Sequence, residues 1–212
     1  MKIGQIKIEA LRLMFLPVGN LSPESLGEME GDRMIGTYLE GMHGSINRAL
    51  GDLEMRRVLP LCRRVIEYTE WEKDGAFLSM PHSRIEGLFE IARLYRTDAA
   101  GRASEVSVGM EGERLVAVGP EEGERTVLLY RKRLSRVEPW ENEEELEGVP
   151  EGIASLIPYF IKGELYREDD SGEAAAARNF YETSLARLSV MNEERMADAP
   201  VRVHAVYSQT EV

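Results

Sequence analysis

The chain is poor in the residue types that most chemistry needs. Among its 212 residues there is one cysteine, Cys62, so an intrachain disulfide and a thiolate metal cluster are both excluded. Cys62 follows Val58-Leu59-Pro60-Leu61, where a free cysteine reads as a small apolar packing residue. The three histidines, His43, His82 and His204, fall in no HxH or HExxH spacing, so no metal site can be read from them. The 19 glycines are scattered. No GxGxxG, no P-loop pattern and no GxSxG occurs, which removes the support for nucleotide binding and for a nucleophile elbow. No apolar run approaches the length that crosses a bilayer. The opening MKIGQIKIEALRLMF mixes charges through its apolar residues, the pattern of an amphipathic helix rather than a signal peptide. A cytoplasm-like compartment is the expectation.

Positive charge is also short. Lys and Arg number 26 against 38 Asp and Glu, for a net charge of -12. A general nucleic-acid binder would carry a basic face to neutralise phosphates. A wall that DNA must slide past is a different case, because attraction would make the polymer stick. Plain solubility is the other reading of the charge, and taken alone the charge favours it. Two acidic runs, Glu143-Glu144-Glu145 and Glu168-Asp169-Asp170, sit in a linker and a turn. They read as solvated surface rather than as convergent carboxylates of a metal or glycosidase site.

The apolar fraction, 43%, suffices for a real core. Ile3, Ile6, Ala10, Leu13 and Met14 keep helical spacing and predict a helix over 3–15. A second series, Ile35, Tyr38, Leu39, Met42, Ile46, Ala49, Leu50 and Leu53, is crossed by His43-Gly44-Ser45. Glycine is costly inside a helix and serine is a good N-cap, so two helices are expected, 34–42 and 45–59. Next come β-rich segments at 65–71, 88–95, 103–108, 114–118, 125–130 and 134–137, separated by turn residues. They suggest a small antiparallel sheet or sandwich. After an acidic linker at 142–148, helical periodicity returns. One apolar face begins at Ile153 and a second helix at Glu173, joined by a short turn into an antiparallel hairpin. Past Pro200 the tail alternates: Val201, Val203, Ala205 and Tyr207 on one side, Arg202, His204, Val206 and Ser208 on the other. A strand without a hairpin partner invites pairing with another subunit, although a frayed terminus is an equal reading. Arg131-Lys132-Arg133 is the one basic triplet. It can contact DNA or an acidic partner, or it can be a charged edge that blocks sheet aggregation.

These features give an expected α+β fold. N-terminal helices at 1–62 and a helical hairpin at 141–198 form one bundle, with a β-rich insertion at 63–140 and an extended tail at 199–212. The pattern Tyr38-Leu39-x-x-Met42-x-Gly44-Ser45-Ile46-Asn47-Arg48-Ala49-Leu50, ending in Val58-Leu59-Pro60, resembles phage head–tail connector proteins. So do the stretch from Pro150-Glu151-Gly152 through Leu156-Ile157-Pro158-Tyr159-Phe160-Ile161 and the run from Glu173 to Tyr181. The resemblance covers the two helical parts by motif and the β part by position. It implies a structural virion protein, not an enzyme, with no cofactor. Such adaptors form a ring, usually of twelve copies, under the portal protein. The ring extends the channel for packaged DNA and receives the next neck or tail component. The protein would be made in the host cytoplasm and end in the virion neck. In several adaptors the C-terminal tail reaches the portal, which implies partner-binding roles here for Val201, Val203, His204, Val206 and Tyr207. A tail terminator or assembly factor is the alternative within phage structural proteins, and an enzyme or small-molecule binder with an unfamiliar site is the alternative outside them.

Overall fold

The computed structural model describes residues 1–15, 26–29, 31, 33–97, 102–118, 121–122 and 124–198, with the backbone alone at 28, 29 and 189–198. The predicted tail and its residues Val201, Val203, His204, Val206 and Tyr207 lie outside the described residues. Helices and antiparallel sheets are both present, so the fold class is α+β. The chain divides into one compact unit of Met1–Leu59 with Leu134–Arg195 and a second that contains Pro60–Arg133.

In the first unit the apolar periodicity of the sequence becomes a shared core. Helix α1 (Ile3–Met14) buries Ile3, Ile6, Ala10, Leu11 and Met14. A short α2 (Leu26–Met29) adds Leu26. Helix α3 (Arg33–Met55) runs unbroken through His43-Gly44-Ser45, where two helices are expected from the sequence. Met42, Ile46, Ala49, Leu50 and Leu53 are all fully buried on one stripe across that point. Ser45 is itself buried on α3 and accepts a hydrogen bond from Arg48 Nη2 (2.9 Å) instead of capping. Packing on both sides of Gly44 outweighs the roughly 1 kcal/mol that glycine costs inside a helix.

The chain returns as α4 (Glu151–Ala154), α5 (Ile157–Leu165) and α6 (Ser171–Asp198). Pro158 opens α5, where its missing N–H costs nothing. α1 and α3 both pack on α5. Small residues set the spacing between helices. A Cβ on Gly163 of α5 would lie 3.2 Å from Arg178 Cβ and 3.4 Å from Ala174 O of α6, so these backbones nearly touch. Tyr181, completely buried, packs edge-on against Phe160, with ring centroids 5.1 Å apart. Its hydroxyl donates to Asp52 Oδ2 of α3 at 2.9 Å. Asp52 also pairs with Arg56, which reaches Glu182 of α6.

Among its described residues the second unit holds eight strands: β1 (Cys62–Glu67), β2 (Glu72–Asp74), β3 (Phe77–Pro81), β4 (Leu88–Thr97), β5 (Ala103–Val106), β6 (Val108–Glu111), β7 (Arg114–Ala117) and β8 (Arg125–Lys132). They form two antiparallel sheets, β1-β8-β4-β5 and β2-β3-β7-β6. Ile66, Leu94, Leu128 and Tyr130 from one sheet share a core with Leu78, Met80, Leu115 and Ala117 from the other. Trp71 seals it, donating from Nε1 to the buried Thr126 hydroxyl at 3.2 Å. Residues 68–70 are a helical turn rather than strand, and β2, β3 and β6 were not expected. The first and last strands are hydrogen-bonded neighbours, Cys62 opposite Tyr130 and Glu67 opposite Arg125.

Burial first, and the Asp52 hydrogen bond second, raise the Tyr181 phenol above its ordinary value of 10.0. The native state therefore holds this proton where the unfolded chain releases it. The stability it contributes is full below the unfolded value and is lost as pH rises above about 10. Tyr181→Phe removes that alkaline slope. Thermal melts from pH 8 to 11 should show the wild-type midpoint falling more steeply than that of the variant, which should cost about 1 kcal/mol at neutral pH.

Candidate interaction surfaces

Residues 134–137 are expected to be a strand, and they are not. Their backbone polar groups are satisfied by side chains of α3. Asn47 donates from Nδ2 to Val137 O and accepts from Val137 N on Oδ1, both at 2.8 Å, as a neighbouring strand would. Glu54, buried, accepts from Leu134 N at 2.7 Å and from Arg136 Nη2 at 3.3 Å. Leu134 and Val137 then drop into the helical core. A segment with β-type residues meets its hydrogen-bonding need without a sheet.

The acidic stretch that follows is no loose linker either. Lys7 of α1, 4% exposed, donates from Nζ to Pro139 O (3.1 Å), Glu141 O (3.0 Å) and Asn142 Oδ1 (2.8 Å). The first N–H groups of α1, which no helical carbonyl can serve, donate instead to this stretch: Ile3 N to Glu144 O and Gly4 N to Asn142 O. Leu146 N donates to Met1 O, the backbone of Lys2 pairs antiparallel with that of Glu145, and the Lys2 ammonium pairs with Glu143 at 2.8 Å. Negative carbonyl ends facing a helix N-terminus suit the helix dipole. Residues 134–149 thus form a strap laid along α1 and α3, with Leu134, Val137, Leu146 and Val149 turned in. Glu144, Glu145 and Glu147 point to solvent and, with Glu141 and Arg136, line a groove of about 400 Å³. Trp140 stands 74% exposed on the same strap. Residues 134–173 hold twelve Asp and Glu against three Lys and Arg, nine of the twelve net negative charges of the chain. That asymmetry is countable in the sequence by segment and marks this surface.

The second surface is the outer face of sheet β1-β8-β4-β5. Strand parity places Arg63, Val65 and Glu67 of β1 beside Leu129, Val127 and Arg125 of β8, and these beside Arg93, Tyr95 and Thr97 of β4. Two irregularities in β4, between Leu88 and Glu90 and between Ile91 and Arg93, set this register. They bring Glu90 opposite Arg131 and Arg93 opposite Leu129, on the side away from the core. Arg63 and Arg93 are exposed and flank Leu129 across three strands. Arg93 donates to the Tyr95 hydroxyl at 3.2 Å. Val65 is 44% exposed, and Tyr95 and Leu129 are half-buried. An apolar stripe between arginines results.

The basic triplet resolves into three separate fates. Arg131 and Lys132 end β8, and Arg133 follows it. Arg131 pairs with Glu90 at 3.3 Å and Lys132 with Glu86 at 2.6 Å. The Lys132 hydrogen bond holds the Glu86 carboxyl below its ordinary value. The Arg133 guanidinium lies 5.3 Å from the Phe89 ring centroid. Sequence proximity in the triplet is therefore not one patch. The arginines that share a face come from three strands, Arg63 of β1, Arg93 of β4 and Arg125 and Arg131 of β8, which are distant in the chain and are joined by strand pairing.

His43 is half-buried on α3, and His82 Nδ1 lies 2.8 Å from Glu113 O in a short turn. Cys62 packs at the rim of the sheet core. Among the described residues no group of three His, Cys, Asp or Glu could hold a metal ion, and no helix is long and apolar enough to cross a membrane. What the two surfaces offer chemically is charge of opposite sign around apolar contact. No family model matches the chain, and no curated protein matches it.

Lys7→Met should detach the strap. Losing hydrogen bonds from a buried ammonium, with their acceptors left dry, costs about 2–3 kcal/mol. Hydrogen exchange should speed up at the amides of Ile3, Gly4 and Leu146. The exposed Glu144→Gln should leave urea stability within about 0.5 kcal/mol of the wild type.

Proposed function

We propose that this chain is a structural virion protein, a head-to-tail adaptor that docks under a portal as a ring and extends the DNA channel. The observation that carries the reading is the arrangement of parts. Residues of the chain's two arms, Met1–Leu59 and Leu134–Arg195, make one helical unit, and Pro60–Arg133 is inserted between them. The motifs that resemble connector proteins, from Tyr38 to Pro60 and from Pro150 to Tyr181, fall almost wholly in that helical unit. In this reading the helices are the bundle of the adaptor and the β-sandwich is its insertion. The 201–212 segment is the arm that engages the portal through Val201, Val203, His204, Val206 and Tyr207. The neighbours are further copies of itself, the portal and the next neck component, with DNA passing through and not bound by sequence. A net charge of -12 supports that passage, since like charge keeps DNA from adhering to the wall.

Cryo-EM of virions should find a ring of this chain between the portal and the tail. A neck without it would overturn the proposal. Removing residues 200–212 should abolish portal binding in a pull-down. Unchanged binding would favour a tail terminator or an assembly factor instead.

A further inference from the structure

We propose that the outer face of sheet β1-β8-β4-β5 is the docking site for the 138–147 strap of a second copy of this chain. The two surfaces match in three respects. In charge, the strap presents Glu144, Glu145 and Glu147 to solvent, and the sheet face presents Arg63 and Arg93. Arg63 makes no ion pair among the described residues, and the pair of Arg125 with Glu67 is solvent-exposed on both sides. In apolar contact, Trp140 stands 74% exposed among the glutamates, and Val65, Leu129 and Tyr95 form the stripe between the arginines. A large exposed aromatic next to opposite charge is the composition of an interface centre. In rigidity, the strap backbone is already fixed by Lys7, Asn47, Glu54 and the first N–H groups of α1. Docking therefore orders little new chain.

A nucleic acid fits the sheet face less well than the strap does. The segment Pro60–Arg133 holds twelve Lys and Arg against thirteen Asp and Glu, so its net field is slightly negative. Glu67 and Glu90 stand on the same face beside Arg125 and Arg131. Interleaved charges of both signs repel a polyanion at some positions as they attract it at others, and they suit a protein surface with fixed spacing. The contact joins two different surfaces, so each copy keeps one free acceptor and one free donor. Such a heterologous contact repeats and either closes into a ring or grows. Closure rests on the adaptor reading, which requires a ring; the pairwise contact does not.

The test is sedimentation of the full chain at low and high salt, at concentrations up to millimolar, with thermal melts to confirm folding. The wild type should associate, and salt should weaken the association. Arg63→Glu with Arg93→Glu should abolish it, as should Glu144→Lys with Glu147→Lys. The neutral pair Arg63→Gln with Arg93→Gln should weaken it if the reversed pair fails to fold. Trp140→Ala should weaken it by at least about tenfold. A mixture of the two charge-reversed chains should recover association that neither shows alone, because the intact strap of one meets the intact face of the other and the two reversed surfaces are complementary as well. All four reversals in one chain should restore assembly. A wild type that stays monomeric throughout, variants that associate unchanged, or a combined reversal that restores nothing overturns the proposal. So does binding of duplex DNA that Arg63→Glu with Arg93→Glu removes while self-association is untouched. Virion rings joined through other surfaces would sink this contact and spare the adaptor reading. The contact in solution without a ring in virions would do the reverse.

Discussion

Lys7 places an ammonium group where almost no water reaches it and surrounds it with three oxygens of residues 139–142. The helical unit depends on that site, because the chain leaves this unit at Leu59 and must re-enter it at Leu134. A returning chain carries polar backbone into an apolar neighbourhood, and each unpaired N–H or C=O would cost free energy comparable to a lost hydrogen bond. Lys7, Asn47 and Glu54 supply the missing partners at intervals along the strap. The start of α1 completes the set, since its unused N–H groups need carbonyls as much as the strap carbonyls need donors. Two elements with complementary deficits satisfy each other. Only then can Leu134, Val137, Leu146 and Val149 join a core built mostly by helices.

The helices were legible because their stability comes from one long-period signal. Ile3 to Met14 and the apolar positions after Ile153 repeat at helical spacing and are buried as that spacing requires. The expected break at Gly44 shows the limit of reading local propensity. A penalty of about 1 kcal/mol at one residue cannot stop a helix with fully buried side chains on both sides of it. The error at 134–137 has another origin. Strand propensity describes a backbone that is extended and half-buried, and the strap is both, but its hydrogen-bond partners are the side chains of Asn47 and Glu54, about 80 to 90 residues earlier. Strands β2, β3 and β6 went unread because they are short, and β2 is wholly exposed.

The surfaces were legible only in part. Charge by segment is present in the sequence and points to 134–173. The arginine face is not, because Arg63 and Arg93 meet through the register of β8 and through irregularities in β4 that no local pattern announces. The basic triplet drew notice for being contiguous, yet adjacent residues on a strand point to opposite faces. Arg131 therefore joins the outer face while Lys132 turns to Glu86. Trp140 is unremarkable in a sequence with two tryptophans, and it becomes informative only once the other, Trp71, proves to be buried.

The pairing of β1 with β8 has a consequence for the order in which the protein is made. Cys62 opposite Tyr130 means the sandwich is complete once residue 132 has emerged from the ribosome. Helices α1 and α3 are synthesised earlier, yet their common partner α5 begins only at Ile157. The middle of the chain can therefore settle first, while the first fifty-five residues wait with an unfilled apolar face. Between the two events comes the strap, whose partners Asn47, Glu54 and Lys7 lie on helices already made. In this chain α1 and α3 are made before the sandwich and finished after it.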